Sequence, residues 1–422
     1  MERNYLSKSV VRIGVLLSLA VGLPLIPAHA KPFMPMNAPV ARLLKNVSEY
    51  VKRNPRDPGG YYTLGRVHYY TFAAPARQTM PVTRFSPDDS NASLPGAAPF
   101  GNPGKIPDEA RKGEGKPLSP AEKKSHIQAA IANLRQAIAL EQRGGTPAEV
   151  TRKGLSELTL ACVYEEGKAN ATKSWREEAI RYYRLAYERS RQDELSRPTA
   201  PIFGIETLIS NEAANSYLRL VKQRGVLPSE KTKVAEVEKA AQRIAHLPPS
   251  NAVTPIVFSL ARTQSLSSLV APQPSGMAFD LDGSARPGQR YSAWPRSTTG
   301  ILVWDPAHTG RITSGRQLFG NATWWMFWQN GYRALQSLDD NADGWLTGNE
   351  LQSLGVWTDA NSSGKCDRGK VRTVSKTGIV GVNVRETRRI RNGWTTEAGI
   401  RSRNGDVLPT YDWIAETIPL KE

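Results

Sequence analysis

Apolar residues recur every three or four positions through residues 39–250, which is the spacing of helices that bury one face. The first helical segment includes residues 40–47 and ends at the turn residues 54–58, where Asn, Pro and Asp interrupt the pattern. Two further helices are predicted at 205–223 and 229–245. The N-terminal part of the chain is therefore predicted to be built from helices and their connecting loops.

The pattern changes at Leu247-Pro248-Pro249-Ser250, a cluster of helix-breaking residues. Beyond it, Gly and Asx turns dominate, and most of the ten Trp residues of the chain lie here. Residues 379–384 predict a strand, and Arg403-Asn404-Gly405-Asp406 predicts a hairpin turn. We therefore expect an α fold at residues 31–250 and a separate α+β fold, with short strands and hairpins, at residues 251–422.

Small and aromatic residues recur at fixed intervals on four of the predicted helices. The sets are Tyr61/Leu64/Gly65/His68, Ala130/Leu134/Ala137, Leu160/Ala161/Tyr164 and Ala179/Tyr183/Ala186. This pattern resembles the tetratricopeptide repeat, a helical hairpin of about 34 residues in which small residues let two helices approach closely. The resemblance implies stacked hairpins that present a surface to a protein or peptide ligand. An unrelated helical bundle would also account for these residues.

The helical pattern is interrupted by residues 74–119, which are rich in Pro, Gly, Ser and Ala. A loop of this length is usually functional or disordered. We expect it to be an exposed, mobile insertion within the first repeat.

Residues 339–350 match the calcium loop of an EF-hand, in which oxygen ligands recur at alternate positions and a carboxylate closes the loop. Gly344 permits the sharp turn at the sixth position. The predicted calcium ligands are Asp339, Asn341, Asp343, the backbone carbonyl of Trp345, Thr347 and Glu350. An Asx-rich turn without metal is the alternative, but it does not explain the carboxylate at the twelfth position.

Motifs on both sides of this loop resemble a calcium-binding module of bacterial secreted proteins, including many with RTX-type repeats. The matching segments are 279–283, 299–305, 317–323, 330–335, 354–361 and 377–379. The resemblance implies EF-hand-like calcium sites in an exported protein, and it implies no reaction.

Two further loops of this module lack the terminal glutamate that a calcium site needs. The loop at 305–317 ends on Gln317, and the loop at 359–370 has Lys370 at the twelfth position, where an ammonium group offers no oxygen. We expect both loops to shape turns without metal.

The segment from Trp324 to Leu338 is predicted to be the helix that enters the calcium loop, and the helix leaving it is predicted to be about two turns long because only eight residues separate Glu350 from Asp359. The aromatic cluster Trp324–Trp328 is predicted to be core, although such rings would also suit carbohydrate stacking.

The first thirty residues are predicted to be a cleaved export signal, because a basic start precedes a short apolar run and a small-residue site at Ala28-His29-Ala30. A membrane anchor is the alternative; no later segment is apolar enough to span a bilayer.

The net charge of +17 suits anionic partners. Export makes nucleic acid the least favoured of these and leaves anionic lipid or an anionic cell-envelope polymer. A merely solvated strand face is the default, because basic residues are spread along the whole chain. The basic residues concerned are Arg385, Arg388, Arg389, Arg391, Arg401 and Arg403.

The chain has two cysteines, Cys162 and Cys366. Two cysteines exclude a disulfide framework, although a single bridge between them remains possible.

The run Phe279-Asp280-Leu281-Asp282-Gly283 also resembles the first motif of haloacid-dehalogenase phosphatases, with Asp280 as nucleophile and Asp282 as acid–base. That reaction needs a Rossmann-like sheet, but the residues after Gly283 do not show the alternating strands and helices of such a sheet.

We therefore expect an exported, non-catalytic scaffold protein in which calcium stabilises the C-terminal domain and leaves the helical domain almost untouched.

Overall fold

Helices make up the N-terminal part of the protein and an antiparallel sheet dominates the C-terminal part, so the predicted mixed fold class is confirmed. We call residues 40–244 the helical half and residues 253–418 the sheet half. The computed structural model describes residues 33–74, 79–83, 102–106, 117–144, 153–196, 206–244, 253–262, 264–284 and 290–418. The predicted export signal lies outside the described residues.

The helical half contains seven long helices among its described residues. They are α1 (Val40–Arg53), α2 (Pro58–Ala73), α3 (Pro120–Gln142), α4 (Leu155–Gly167), α5 (Trp175–Ser196), α6 (Glu206–Arg224) and α7 (Lys231–Ile244). The last two confirm the helices predicted at 205–223 and 229–245. Two short strands, β1 (Phe33–Asn37) and β2 (Thr79–Thr83), pair with each other beside them.

Local sequence explains where the helices begin. At α3, Ser119 and Glu122 form a capping box, and Pro120 occupies the first turn, where its missing amide hydrogen costs nothing. At α2, the Asp57 carboxylate accepts the amide of Gly59 at 2.8 Å. Both helices therefore start where free amide groups find a side-chain acceptor.

Consecutive helices pack against one another, and the close approach of α2 to α3 depends on a glycine. A Cβ atom at Gly65 would lie 2.7 Å from the Cγ of Leu134 and 3.3 Å from the carbonyl oxygen of Ala130. Both of these α3 residues are fully buried. The small residues singled out in the sequence therefore lie at the contact between neighbouring helices.

The sheet half is built on a nine-stranded antiparallel sheet. Eight strands follow the order β7-β10-β12-β13-β3-β6-β8-β9, and β11 pairs with β12 at the side. Their bounds are β3 (Ile256–Ser259), β6 (Thr299–Trp304), β7 (Trp345–Thr347), β8 (Leu354–Trp357), β9 (Val371–Thr373), β10 (Ile379–Asn383), β11 (Arg388–Ile390), β12 (Gly393–Ser402) and β13 (Val407–Trp413). A smaller sheet joins β4 (Val270–Ala278), β5 (Arg290–Pro295) and β14 (Thr417–Ile418), with the short helix α8 (Leu266–Leu269) before it.

Two local predictions in this half are confirmed. The segment predicted as a strand at 379–384 forms β10, and the hairpin turn predicted at 403–406 connects β12 to β13. Cys162 and Cys366 both carry free thiols, so the single bridge left open by the sequence is absent.

The two halves share one hydrophobic core, which extends from α1 to β13. Arg66 on α2 lies inside it, fully buried, and its Nε donates to the carbonyl oxygen of Trp325 at 3.1 Å. The guanidinium carbon also lies 5.1 Å from the ring centre of Phe327. The expectation that calcium would leave the helical half untouched presumed separate cores, and the shared core disagrees with it.

Part of the predicted insertion is held at this junction. The carbonyl oxygen of Asn102 accepts the indole NH of Trp325 at 3.3 Å, and Ile106 is 1% exposed. The amide of Gly104 donates to the buried carboxylate of Glu212 at 2.6 Å. The prediction of an exposed segment is therefore wrong for residues 103–106, whereas Asn102 is exposed, and most of the rest of 74–119 lies outside the described residues.

The helices that flank the calcium loop are shorter than predicted. The entering helix, α9 (Gly331–Gln336), begins only after a turn in which Trp324, Trp325 and Phe327 have positive φ angles of 52°, 57° and 56°. These values break a helix, and they let the aromatic side chains pack on different sides while remaining buried. The cluster is thus core, as predicted, and the sugar platform is wrong.

At the end of the loop, one tight turn of 3₁₀ helix, Gly348–Leu351, replaces the predicted exit helix of two turns. Strand β8 follows three residues later and pairs with β6 in the main sheet. Sheet pairing therefore ends the helix before a second turn forms.

We predict that Gly65→Ala destabilises the protein by about 1–3 kcal/mol, because the added methyl overpacks the contact with α3, although alanine favours helix by about 1 kcal/mol. Chemical unfolding followed by circular dichroism measures this. Gly59→Ala in the same helix is the control, since its Cβ would meet only the ends of the Asp57 and Gln329 side chains, at 3.2 Å or more. Equal effects of the two changes would contradict the packing described here.

Candidate metal centre

Three loops of the sheet half have the same internal hydrogen bond. In each, an aspartate at the first position accepts, through Oδ2, the amide of the glycine at the sixth position. The distances are 2.8 Å for Asp305 and Gly310, 2.9 Å for Asp339 and Gly344, and 2.7 Å for Asp359 and Gly364. The three loops therefore have a common framework, although only one of them has a complete set of calcium ligands.

The backbone of the three loops also turns in the same way. The fourth position has a positive φ in each: 51° at His308, 60° at Ala342 and 49° at Ser362. The sixth position is a glycine with φ of 64°, 94° and 67°, a conformation that glycine adopts at least cost. The loops at 305–317 and 359–370 thus have the same backbone turn as the loop at 339–350.

The first half of the loop at 339–350 is organised by backbone amides. The Asn341 side-chain oxygen accepts the amide of Asp343 at 3.0 Å, and Asp343 accepts the amide of Trp345 at 2.7 Å. Residues 345–347 then form β7, which pairs with β10. Asn341 and Asp343 are exposed, whereas Trp345 and Thr347 are partly buried.

The second half of the loop is closed by Glu350, which is 8% exposed. Its Oε1 accepts the amide of Asp340 at 2.7 Å, and its Oε2 accepts the amide of Thr347 at 2.9 Å. This carboxylate therefore joins the start of the loop to its end, and at the same time caps the 3₁₀ turn Gly348–Leu351, in which Glu350 lies.

Asp339 is 7% exposed, and its Oδ1 atom has no hydrogen-bond partner. Burial raises the pKa of this carboxyl group above the usual 3.8; the backbone amides of Gly344 and Ala342 oppose the shift, and repulsion from Glu350 and Asp343 adds to it. A buried carboxylate oxygen without a donor is costly unless a cation or a proton neutralises it. The donor set, made of carboxylate, amide and hydroxyl oxygens, suits calcium.

The carboxylates of the loop are not drawn together around a point. Within the part of the chain that the structure describes, no three His, Cys, Asp or Glu side chains form a group that could hold a metal ion. The structure thus places the predicted ligands on one organised loop without closing them into a coordination shell.

The loop at 359–370 differs because its cation is part of the chain. The Lys370 ammonium lies 2.7 Å from Asp359 Oδ1, and the Lys370 side chain is 10% exposed. The other oxygen of Asp359 accepts the indole NH of Trp294 at 2.8 Å as well as the glycine amide. This aspartate is therefore fully satisfied without metal.

The loop at 305–317 satisfies its aspartate in another way. Asp305 Oδ1 accepts both the amide and the hydroxyl of Thr309, at 2.9 and 3.0 Å. Gln317 donates its side-chain NH₂ to the carbonyl oxygen of Arg311 at 2.9 Å, and that carbonyl is at the seventh position, where a calcium loop uses it as a ligand. An amide group thus takes up an oxygen that the metal would need.

Asp340, at the second position of the calcium loop, faces helix α1. It accepts hydrogen bonds from Arg42 and Asn46, both at 2.8 Å. Asn46 also donates to the carbonyl oxygen of Ser337 at 3.0 Å. No local pattern predicts this contact, because Asn46 and Asp340 are 294 positions apart in the chain.

Asp280 and Asp282, the candidate phosphatase residues, are buried and serve a turn. The Ser314 hydroxyl donates to Asp280 at 2.7 Å, and Asp282 accepts both the amide and the hydroxyl of Ser284. The named strand pairs around them are antiparallel, whereas a haloacid-dehalogenase phosphatase needs a Rossmann-like sheet. The fold therefore does not support this alternative.

The three loops lie in a region of the chain that is similar in sequence to known proteins. The family model described as the SPM domain matches residues 266–408. The iron-regulated protein FrpA of Neisseria meningitidis serogroup C is 29% identical over 137 residues, which is 29% of this chain and 12% of that protein. The similarity thus covers part of each chain, and this chain spans 12% of the length of that relative.

We predict that calcium affinity falls on acidification at a pH above the usual carboxyl range. Because the folded-state pKa of Asp339 is raised, the calcium-free native state binds a proton more readily than the unfolded chain does. Calcium must displace that proton, so the dissociation constant for calcium should rise as the pH falls toward this pKa. Over the same pH range, the calcium-free protein should be destabilised less, because protonation removes the buried negative charge of Asp339. Calorimetric titration at several pH values checks this. An affinity that stays constant until the ordinary value of 3.8 is approached would contradict it.

Proposed function

We propose that the protein is an exported, non-catalytic scaffold whose loop at 339–350 binds one calcium ion. The observation that carries this proposal is the contrast among the three loops. Asp305 and Asp359 have donors for both carboxylate oxygens, whereas Asp339 has a buried oxygen with none. Of these loops, 339–350 is the one whose aspartate still needs a cation.

The residues proposed to hold calcium are those predicted from the sequence. Calcium accepts about six to eight oxygen ligands and tolerates irregular geometry, so a loop with mixed carboxylate, amide, hydroxyl and carbonyl donors suits it. The set is Asp339, Asn341, Asp343, the carbonyl of Trp345, Thr347 and Glu350. The ion would supply the positive charge that the buried carboxylates lack.

The helical half is proposed to be a tetratricopeptide-like array. Consecutive helices pack in order, and α4 also contacts both α2 and α6, so that these three form an inner row. Tyr183 and Ala186, at the aromatic and small positions of the motif on α5, are fully buried. These features support stacked hairpins in the helical half. The sheet half is proposed to be the calcium-binding module of bacterial secreted proteins.

The inner row is largely covered by the chain itself, since Leu158 and Cys162 on α4 are fully buried and lie against Gly104. A protein or peptide ligand of the repeats would therefore bind the outer helices, α3 and α5, which expose charged residues such as Lys124, Arg135 and Arg184.

Export is proposed from the basic and apolar pattern of residues 1–30. Among the described helices, none combines the length and apolar character that crossing a bilayer requires. Calcium outside the cell is abundant, so a site with a dissociation constant of about 10⁻⁴ to 10⁻³ M would be filled there.

A second candidate function is binding of an anionic envelope polymer. All six arginines predicted for this role are exposed. Arg401 lies over the ring of Trp345, in the calcium loop, at 3.6 Å, and Arg389 lies over Trp394 at 5.5 Å. Because these Trp rings hold the guanidinium groups of Arg389 and Arg401 in place, the contacts favour a rigid basic surface over a merely solvated one.

We predict that the protein binds one calcium ion in this loop and that Glu350→Gln abolishes this binding, because the change removes a charge and one of two strong oxygen donors. Calorimetry measures the stoichiometry. Glu397→Gln, on the exposed side of β12, is the matched control and should bind calcium like the original protein. Unchanged binding in Glu350→Gln would refute the assignment.

We also predict that calcium shifts one cooperative thermal transition rather than one of two. The halves share a core, and Asp340 ties the loop to α1. At a calcium concentration of about 100 times the dissociation constant, the native state gains about 2.7 kcal/mol. Far-ultraviolet ellipticity is dominated by the helices, and tryptophan fluorescence comes mainly from the sheet half, which holds nine of the ten Trp residues. The two signals should therefore shift together. A shift in fluorescence alone would show that the halves unfold independently.

A further inference from the structure

The ammonium group of Lys370 is surrounded by oxygen atoms from its own loop. Besides Asp359 Oδ1, it lies within hydrogen-bond distance of the Asn361 side-chain oxygen, the Ser363 hydroxyl at 3.0 Å and the carbonyl oxygen of Lys365 at 2.7 Å. The Asp367 carboxylate follows at 2.9 Å. One nitrogen atom therefore gathers five oxygen atoms.

These five oxygens are not an arbitrary set. Counting from Asp359, they come from positions 1, 3, 5, 7 and 9 of the loop, the seventh through its backbone carbonyl. A calcium loop of the EF-hand type uses the same positions in the same way. The Lys370 nitrogen thus occupies the centre on which the metal ligands of such a loop converge.

An ammonium group is chemically able to take this place. It carries a positive charge and three donors, so it offsets the Asp359 and Asp367 carboxylates while it satisfies oxygen lone pairs. Its distances of 2.7–3.0 Å are longer than the roughly 2.3–2.6 Å of calcium–oxygen bonds, so the loop is held slightly wider than a metal would hold it. A lysine at the twelfth position supplies this cation from the position where a calcium loop supplies its last carboxylate.

We infer that the Lys370 ammonium is a built-in substitute for the metal ion, and that 359–370 is a calcium site made permanently metal-independent. The inference rests on these contacts and does not require calcium at 339–350. The loop keeps β8 and β9 joined at its two ends with or without calcium in the surroundings. Reversing the charge of the single residue should return the loop to metal binding.

The test is Lys370→Glu, which restores a carboxylate at the twelfth position. Calorimetric titration with calcium should show one more bound ion than in the original protein. Lys376→Glu, an exposed change of equal charge outside the loop, is the control and should gain none. A folded Lys370→Glu protein that binds the same number of ions as the original overturns the inference.

The outcomes separate this inference from the site at 339–350. If the original protein binds no calcium and Lys370→Glu binds one ion, the substitute cation is supported and the proposed function fails. If the original protein binds one ion and Lys370→Glu also binds one, the proposed function is supported and the substitute cation fails.

Lys370→Met covers the case in which the glutamate variant does not fold. It removes the ammonium and adds no oxygen, so five oxygens are left without a cation. In chelator, its melting temperature should fall below that of the original protein, and millimolar calcium should raise it by more than it raises the original. A melting temperature that is unchanged in chelator would overturn the inference.

Discussion

A carboxylate that is removed from water must find positive charge or hydrogen-bond donors, and this requirement governs the sheet half of the protein. The loops beginning at Asp305, Asp339 and Asp359 each bury this carboxylate, and each supplies the same glycine amide to one of its oxygens. They differ in what serves the other oxygen. A threonine does so in the first loop and a lysine ammonium in the third, whereas the second has no donor for it.

The consequence reaches beyond the loops because each one fixes a junction of the fold. The loop at 339–350 leads from α9 into β7, and its Asp340 contacts Arg42 and Asn46 on the first helix. Near the same junction, Arg333 on α9 donates to the hydroxyl of Tyr50 at 2.5 Å. Neutralising the loop would therefore stabilise a contact between the helical half and the sheet half, and not only the loop.

Much of this could be predicted from the sequence, because the signals were local. The helices at 206–224 and 231–244 follow from apolar spacing, and the sharp turn at Gly344 follows from the glycine at the sixth position of its loop. The long-range features could not. Trp324–Leu338 is predicted as one helix, yet positive φ angles at its aromatic residues interrupt it, and the shared core around Arg66 joins residues more than 250 positions apart. Lys370 was recognised as a poor metal ligand, but its role as the cation depends on a side-chain direction that no spacing reveals.

The group at the centre of each loop decides whether the loop takes a metal. An anomalous difference map from crystals grown with terbium, which takes the place of calcium in oxygen-rich sites, tests it most directly. The account predicts one peak, beside Asp339 and Glu350, and none within 305–317 or 359–370. A peak at Lys370, or an empty loop at 339–350 at saturating terbium, would contradict it.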